Sequence, residues 1–298
     1  MFVQVTALLW AKDRRVGSDS CDWIGSVGGS KPPVNSLPVS TLESYYREHL
    51  PAYARVDWVP ETGSTNADLL ADTFAPAWTV RLAGQQTAGR GRMGRPWVSP
   101  AGTQVILSVL LRPTIEEMDQ LGTIPLAAGL AVLDAVKELA GTGADVQLKW
   151  PNDVLLNEKK VCGILAEAAG LPEDPRIVVG LGLNVSLTRE QLPVPHATSL
   201  ALEGIEVAVE EVGVTVLNAL RRRLEQWATG GRDLMTDYRG ACATVGKPVR
   251  VEAATGQLLG TVTGVSNDGR LELEDEQGAR HFISAGDVTH LRRTDTTY

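Results

Sequence analysis

The sequence has few cysteines and no segment suited to crossing a membrane. Its three cysteines, Cys21, Cys162 and Cys242, lie far apart and form no C-x-x-C pair. This spacing argues against a disulfide framework or a zinc cluster, so we expect a reducing, cytoplasmic location. No apolar stretch reaches the roughly 18 residues that a membrane span needs. The mildly apolar start is followed, rather than preceded, by basic residues, which reverses the order found in a secretory signal.

An excess of positive charge is also absent. The chain carries 28 Lys and Arg against 36 Asp and Glu, a formal net charge of −8. A protein that coats nucleic acid needs a broad basic face, so this balance excludes that class but leaves room for a local basic pocket. What the chain does have is 298 residues with 43% hydrophobic content, which fits a globular protein of about two domains.

The beginning of the chain lacks the signals of a folded domain. Gly, Ser and Pro make up more than half of residues 17–40. Such a segment buries little apolar surface, so we predict a disordered or loosely ordered extension over residues 1–44. It shows no helix-turn-helix pattern, meaning two short amphipathic helices around a tight turn, and we expect no binding to DNA.

Residues 45–240 alternate irregularly between strand and helix patterns. Thr103–Leu111 is apolar on both faces, which is typical of a central strand. Pro125–Ala140 and Glu210–Trp227 have helical periodicity. Strand candidates such as Val154–Leu156 and Val161–Ala168 follow one another directly. This mixture predicts an α+β domain more than a strictly alternating parallel sheet.

Residues 241–298 have a different pattern. Short strand candidates follow closely at Val249–Val251, Leu258–Val265, Arg270–Glu274 and Arg280–Ser284. Between two of them, Asn267-Asp268-Gly269 is a strong hairpin signal. We therefore predict a small β-barrel as a separate C-terminal domain.

The segment Gly89–Trp97 (GRGRMGRPW) concentrates glycine and arginine. Its three glycines allow close backbone approach, and its three arginines offer forked donors for phosphate or carboxylate groups. Trp97 adds a flat face on which a base could stack. The segment is consistent with a clamp for nucleotide phosphates, but equally with an exposed loop or an RNA contact.

Two lysine-containing segments follow. Lys149-Trp150-Pro151-Asn152-Asp153 ends a strand, and its polar groups could contact a phosphate or Mg²⁺, although a plain β-turn explains the pattern as well. In the pair Lys159-Lys160, the second lysine enters an apolar strand, where it could reach an anionic centre. We read Lys159 as a solvated surface residue.

Two further segments contain small residues. Gly180-Leu181-Gly182-Leu183-Asn184 would let a ligand lie against a buried strand, but it lacks the third glycine and the helix of a dinucleotide fingerprint. Gly63-Ser64-Thr65-Asn66 begins a helix, where free N–H groups suit either capping or polar ligand atoms.

Several catalytic signatures are missing. The sequence contains no G-x-x-x-x-G-K-[ST] phosphate loop, no G-x-S-x-G elbow and no cluster of His and Cys with metal-ligand spacing. All four histidines, His49, His196, His281 and His290, lie outside the segments described above. We read them as surface or structural residues and expect no histidine base.

The order of these segments is more specific than any one of them. Residues 58–230 resemble the catalytic domain of the biotin–protein ligases. In that family the same motifs follow one another in the order GSTN, QQTAGRGRMGRPW, KWPNDV, KKVCGILAE and GLGLNV. Residues 245–292 resemble the SH3-like C-terminal domain of that family. The resemblance implies a catalytic domain of the class II aminoacyl-tRNA-synthetase/biotin-ligase type, followed by a small SH3-like β-barrel.

The resemblance also implies roles for individual residues. Matching the motifs position by position assigns Lys160, Arg90 and Arg92 to catalysis. Biotin contacts fall on Ser64, Thr65, Asn66, Gln86, Arg90, Gly91, Arg92, Lys160, Gly163, Gly180 and Gly182. ATP contacts fall on Arg92, Arg95, Trp97, Lys149, Asn152, Asn184 and Arg292, and Asp153 is the candidate metal ligand. Cys162 stands where the family often has a smaller residue, and we expect it to act as a small apolar side chain.

The implied reaction has two steps. Biotin and ATP, with Mg²⁺, would give biotinyl-5′-adenylate and pyrophosphate, and the adenylate would acylate one lysine of a biotin carboxyl carrier domain. Members that also repress transcription carry an N-terminal DNA-binding domain, whereas this sequence has a low-complexity stretch there. The resemblance therefore predicts a ligase without a repressor role, without a membrane partner, and with homodimer formation left open.

Three alternatives remain. Lipoate–protein ligation uses a related fold, but a lipoyl chain needs mostly apolar walls, whereas a ureido ring needs polar partners such as Ser64, Thr65 and Gln86. An RNA-binding protein could use the arginine-glycine loop, although one such loop on an acidic chain would bind weakly. A protein that binds biotin without catalysis would form no adenylate.

Overall fold

The computed structural model describes residues 37–141, 143–230, 233–253 and 256–291. The predicted extension up to residue 36 and the predicted nucleotide contact Arg292 lie outside these residues. Strands and helices are interspersed, as expected for an α+β protein. The strands form a seven-stranded sheet followed by a five-stranded sheet. In the part of the chain just defined, no helix is both long and apolar enough to cross a membrane.

The seven-stranded sheet has the order β1-β2-β3-β7-β6-β5-β4, and only β1 and β2 run parallel. Its strands are β1 (Arg55–Val59), β2 (Thr79–Ala83), β3 (Gln104–Leu111), β4 (Val146–Lys149), β5 (Asp153–Leu156), β6 (Lys159–Ala169) and β7 (Arg176–Asn184). The α-helices that the described residues form are α1 (Val39–His49), α2 (Thr65–Ala71), α3 (Ile124–Ala140), α4 (Val209–Ala228) and α5 (Asp233–Ala241).

Both faces of this sheet are covered, as the apolar pattern of β3 predicts. All eight residues of β3 are buried. Alternate residues such as Leu107 join the main core, which includes α3 and α4. Leu110, which points to the other face, packs instead with Leu69 of α2 in a small separate cluster. Helix α2 therefore covers only part of that second face, and the remainder is free to form a site.

Helix α1 is a feature that the sequence patterns do not predict. It begins at Val39, so the predicted domain start at residue 45 falls inside a helix, and residues 39–44 belong to that helix rather than to the extension. The helix is held because Tyr46 is buried against Gly213 of α4, where an added Cβ would lie 2.7 Å from the tyrosine Oη. The backbone N–H of Leu37 also donates to Glu210 at 2.7 Å.

The five-stranded sheet forms the predicted C-terminal domain. Its strands are β8 (Pro248–Ala253), β9 (Gly256–Val265), β10 (Leu271–Glu274), β11 (Arg280–Ile283) and β12 (Asp287–His290), in the antiparallel order β11-β10-β9-β8-β12. This arrangement agrees with the expected SH3-like fold. The hairpin at residues 267–269 is confirmed, whereas β12 is a strand that the patterns do not predict.

Trp150 connects the two domains. Its side chain is 2% exposed, and its indole N–H donates to the carbonyl of Gly269 in the predicted hairpin at 2.9 Å. Its backbone N–H donates to Thr244 Oγ1 at 3.1 Å. Gly269 has a φ of +85°, and an added Cβ would lie 3.1 Å from the carbonyl oxygen of Gly122, so this contact depends on glycine.

We predict that Trp150→Phe lowers the free energy of unfolding by about 1–3 kcal/mol, because the carbonyl of Gly269 loses its buried donor. Urea denaturation followed by circular dichroism measures this change. Trp58→Phe, which alters a partly buried tryptophan of β1, serves as the control. An unchanged midpoint for Trp150→Phe would contradict the assigned role of this contact.

Candidate active site

A pocket of about 270 Å³ lies on the face of the sheet that α2 leaves open, beside the arginine-glycine segment. It brings together nearly all the residues that the sequence analysis selects. Those lining it are Ser64, Thr65, Asn66, Gln86, Arg90, Gly91, Arg92, Arg95, Trp97, Asn152, Asp153, Lys160, Gly163, Gly180, Gly182 and Asn184. Lys149 is not among the lining residues.

The register of three strands explains this convergence. Gly163 of β6 pairs with Gly182 of β7, and Asp153 of β5 pairs with Gly163. Residues paired in antiparallel strands point to the same face, so these three positions share the face of the pocket. Gly163, Gly180 and Gly182 together form a surface without side chains, which we call the glycine floor.

A β-bulge brings Lys160 to the same face. Leu155 pairs with Lys160 and Val154 with Cys162, so Val161 is the extra residue in β6. The bulge shifts the alternation by one position and directs Lys160 toward the pocket. The lysine Nζ lies 2.6 Å from Asp153 Oδ1. Cys162, on the opposite face, is buried in the core, and this burial raises the pKa of its thiol, as expected of an apolar role.

Trp97 covers the glycine floor. An added Cβ on Gly163 would lie 2.8 Å from the indole, and one on Gly182 would overlap it. The Nζ of Lys160 lies 5.7 Å from the ring centroid. The predicted place of Trp97 beside adenine stays a prediction, because here the ring lies against two glycines that the sequence analysis assigns to biotin.

The arginine-glycine segment is folded back on itself. The N–H of Gly91 donates to the carbonyl of Arg95 at 2.7 Å, and that of Trp97 donates to Gly89 at 2.9 Å. At its tip, Met93 has a φ of 56° and is 71% exposed. With the N–H of Arg95, which donates to the carbonyl of Arg92 at 3.3 Å, three backbone hydrogen bonds shape this loop, while its tip is exposed to solvent.

Two arginines of this loop, Arg92 and Arg95, donate to acceptors on other elements, whereas Arg90 lies 3.9 Å from Glu167. Arg92 donates to Asn152 Oδ1 at 3.3 Å, and burial lowers the pKa of its guanidinium despite the nearby carboxylates. Arg95 pairs with Asp287 of β12, and this hydrogen bond raises the arginine pKa. Burial opposes ionisation of Asp287, but the hydrogen bond and charge of Arg95 outweigh it and lower the carboxyl pKa.

Lys149 lies at the edge of the site and affects the pKa of two groups in the C-terminal domain. It lies outside the pocket wall, but its charge helps to lower the pKa of Asp287. It also lowers the pKa of His290, after the larger effect of burial. Its charge therefore acts on the C-terminal domain, and its predicted contact with ATP stays a prediction.

A chain of polar side chains forms the other end of the pocket. Gln86 Oε1 accepts the backbone N–H of Thr65 at 2.8 Å. Ser108 Oγ lies 2.7 Å from Thr65 Oγ1 and 2.6 Å from Asn66 Oδ1. Asn66 Nδ2 donates to Glu167 at 2.8 Å. Ser64 caps α2 by accepting the N–H of Ala67 at 3.4 Å.

The sequence analysis missed several residues of the site. Ser108 and Glu167 belong to the polar chain, and Gln104 donates to Asn184 at 2.9 Å. Alternation along β6 could have found Glu167, because it lies four residues after Gly163 and so on the same face. His196, read as a surface residue, is exposed but lines the pocket, and its carbonyl accepts the N–H of Lys160 at 2.8 Å.

In the residues that the structure describes, no metal site is built from protein side chains alone, and the role of Asp153 as a metal ligand stays a prediction. Asp153, the candidate ligand, already pairs with Lys160. Within residues 37–141, 143–230, 233–253 and 256–291, no group of three His, Cys, Asp or Glu side chains could hold a metal ion. Mg²⁺ commonly binds through substrate phosphates with few protein ligands, so no step below depends on a protein-held ion.

Comparison with known protein families identifies the class to which the two domains belong. The sequence profile of the "Biotin/lipoate A/B protein ligase family" matches residues 56–184, and that of the "Biotin protein ligase C terminal domain" matches residues 244–291. Both matches agree with the two domains of the fold.

Individual relatives narrow the class. The biotin–[acetyl-CoA-carboxylase] ligase of Mycobacterium tuberculosis is 44% identical over 246 residues, which are 80% of this chain and 90% of the relative. That of Paracoccus denitrificans is 34% identical over 76% of this chain and 97% of its own. The Aquifex aeolicus biotin protein ligase, solved with biotin and ATP, has a TM-score of 0.68 at 30% identity and covers 80% of this chain and 100% of its own. The chain belongs to the family of biotin–[acetyl-CoA-carboxylase] ligases.

We predict that Gly182→Ala displaces the ring of Trp97, because the new methyl group would overlap the indole. Acrylamide quenching of tryptophan fluorescence, compared with the same measurement on Trp97→Phe, reports the exposure of this ring. Gly240→Ala is the control, since an added Cβ there meets nothing within 4 Å. Quenching identical to the wild type would contradict the packing described here.

Proposed function

We propose that this chain is an ATP-dependent ligase that attaches biotin to one lysine of a biotin carboxyl carrier domain. The observation that carries the proposal is the pocket itself, where a glycine floor, a polar chain and the cations Lys160, Arg92 and Arg95 meet. Support comes from family membership and from the Aquifex aeolicus ligase, which was solved with biotin and ATP.

The first step needs positive charge beside the glycine floor. A carboxylate oxygen of biotin attacks the α-phosphorus of ATP, and the bond to pyrophosphate breaks, which gives biotinyl-5′-adenylate. Two anions must approach one another, so fixed cations that face the reacting oxygens lower the barrier. Lys160 is the proposed catalytic cation, and Arg92 and Arg95 would bind the phosphates with Asn152 and Asn184 at the nucleotide side.

The second step consumes the adenylate. The neutral amine of the carrier lysine attacks the acyl carbon and loses one proton to solvent, the bond to the phosphate oxygen breaks, and AMP leaves as the amide forms. The mixed anhydride must be kept from water until the carrier arrives. Arg90, Gly91 and Arg92 lie on the exposed loop beside the pocket and are proposed to cover it.

The polar chain favours biotin over lipoate. Thr65, Asn66 and Gln86 offer oxygen and nitrogen atoms that suit a ureido ring, whereas a dithiolane ring has no N–H or carbonyl to pair with them. These groups already bond within the polar chain, so a lipoyl group would leave only their remaining donor and acceptor positions unused, whereas a ureido ring could pair with them.

The remaining expectations form part of the same proposal. Mg²⁺ would enter bound to the phosphates of ATP, and the carrier domain would be the macromolecular partner. We place the protein in the cytoplasm, with no repressor role and no DNA partner, in keeping with its net charge of −8.

The proposal predicts a mass gain of one biotinyl group on the carrier lysine when the protein is incubated with ATP, Mg²⁺, biotin and a carrier fragment. Mass spectrometry detects the product, and parallel reactions without ATP or with lipoate serve as controls. Transfer of lipoate, or no transfer at all, would reject the proposal. Binding of biotin without any adenylate would favour a non-catalytic binding protein.

We predict that Lys160→Ala slows adenylate formation by roughly 100-fold or more, because a fixed cation at the reacting oxygens is lost. Pyrophosphate release measures the rate, and circular dichroism checks the fold. Lys159→Ala is a matched control, because this neighbouring lysine pairs with Glu203 outside the pocket at 3.3 Å. Equal rates for the two variants would move the catalytic assignment away from Lys160.

A further inference from the structure

Glu167 lies at the end of the polar chain, and none of the roles above uses it. Its side chain is 16% exposed and projects from β6 on the face of the glycine floor. Oε2 accepts the side-chain amide of Asn66 at 2.8 Å, while Oε1 lies 3.9 Å from the guanidinium of Arg90. The carboxylate therefore lies between a buried asparagine and the loop beside the pocket.

The acceptors around Asn66 fix the orientation of its amide. The NH₂ group has two hydrogens, and it donates to Glu167 Oε2 and to the carbonyl of Leu165 at 3.2 Å. Both partners can only accept, so the reversed orientation would place the amide oxygen against two oxygens. Asn66 Oδ1 must consequently point the other way, toward Gly180, where an added Cβ would overlap it.

The same order of donors continues through the next residues. Asn66 Oδ1 can only accept, so the single hydroxyl proton of Ser108 goes to it. Ser108 Oγ also lies 2.7 Å from the hydroxyl of Thr65, whose one proton can go either to Ser108 or to Gln86 Oε1 at 3.1 Å. The orientation of the Asn66 amide and the direction of the hydrogen bond from Ser108 to it thus depend on the carboxylate of Glu167.

We propose that Glu167 is a positioning residue that makes the pocket present an acceptor oxygen, Asn66 Oδ1, to an N–H donor of the substrate ring. The inference rests on the proposed function, in which that donor belongs to the ureido ring of biotin. Asn66 Oδ1 has a second lone pair beyond the one that Ser108 uses, and it lies beside Gly180, which lines the pocket. A carboxylate is suited to this task because it can never donate when ionised.

Glu167→Gln tests the inference with little change in shape. A glutamine can turn its NH₂ toward Asn66, which weakens the preference for the amide orientation seen here, because only the carbonyl of Leu165 then opposes its reversal. We expect the KM for biotin to rise roughly 10-fold or more, the scale of one lost hydrogen bond that leaves a buried group unpaired, with the KM for ATP unchanged. Glu203→Gln is the matched control: Glu203 is 11% exposed and accepts the amide of Asn157 at 2.7 Å outside the pocket, so the KM for biotin should stay at the wild-type value.

A double-mutant cycle separates positioning from a structural role. If Glu167 acts through Asn66, then Asn66→Ala combined with Glu167→Gln should bind biotin as weakly as Asn66→Ala alone. Additive losses would overturn the inference. Ser108→Ala removes the donor that holds Asn66 Oδ1 from the other side, so it should also weaken the binding of biotin. This second variant keeps the inference falsifiable if Glu167→Gln folds poorly.

Measurements on the wild-type protein distinguish failure of the proposed function from failure of this inference alone. A wild type that neither binds nor transfers biotin would overturn the proposed function and this inference with it. A fully active wild type with an unchanged KM for biotin in Glu167→Gln and in Ser108→Ala would overturn the inference alone. Isothermal titration of biotin, without ATP, measures the binding step directly.

Discussion

The site depends on the register of β6 between β5 and β7. Gly163 lies opposite Gly182 on one side and opposite Asp153 on the other, so one strand aligns the floor of the pocket with its carboxylate. A slip of one residue would move these groups into the core and bring Cys162 and Ile164 to the pocket. The core prevents such a slip, because Ile164 packs toward Gly129 of α3, and the bulge at Val161 then directs Lys160 to the site.

The charges of the site are balanced locally. Lys160 pairs with Asp153, Arg95 with Asp287, and Arg90 approaches Glu167. An isolated group of like charges would repel and would be costly to bury, so each carboxylate lowers the energy of the empty site. An anionic substrate can replace a carboxylate as partner without requiring the cations to be assembled first, which is a form of preorganisation.

The sequence could predict much of this architecture because its signals are local. The all-apolar run of β3, the hairpin at residues 267–269 and the order of the motifs each need only neighbouring residues. Helix α1 was missed because its stability comes from a distant contact, Tyr46 against Gly213. Asp287 and Ser108 were missed for the same reason, since only tertiary pairing brings them to the pocket, and neither belongs to a motif.

Residues 149–153 (KWPND) show why the two domains belong to one functional unit. Asp153 faces Lys160 in the pocket, while Trp150, three residues earlier, inserts under the hairpin of the C-terminal domain and binds Gly269. That domain in turn supplies Asp287 to Arg95, on the loop beside the pocket. The site is therefore linked to the C-terminal domain twice, through the contact of Trp150 with Gly269 and through the pair of Arg95 with Asp287. Any shift of this domain against the sheet would move the Lys160–Asp153 pair and Arg95 together, because Trp150 is too deeply buried to move independently.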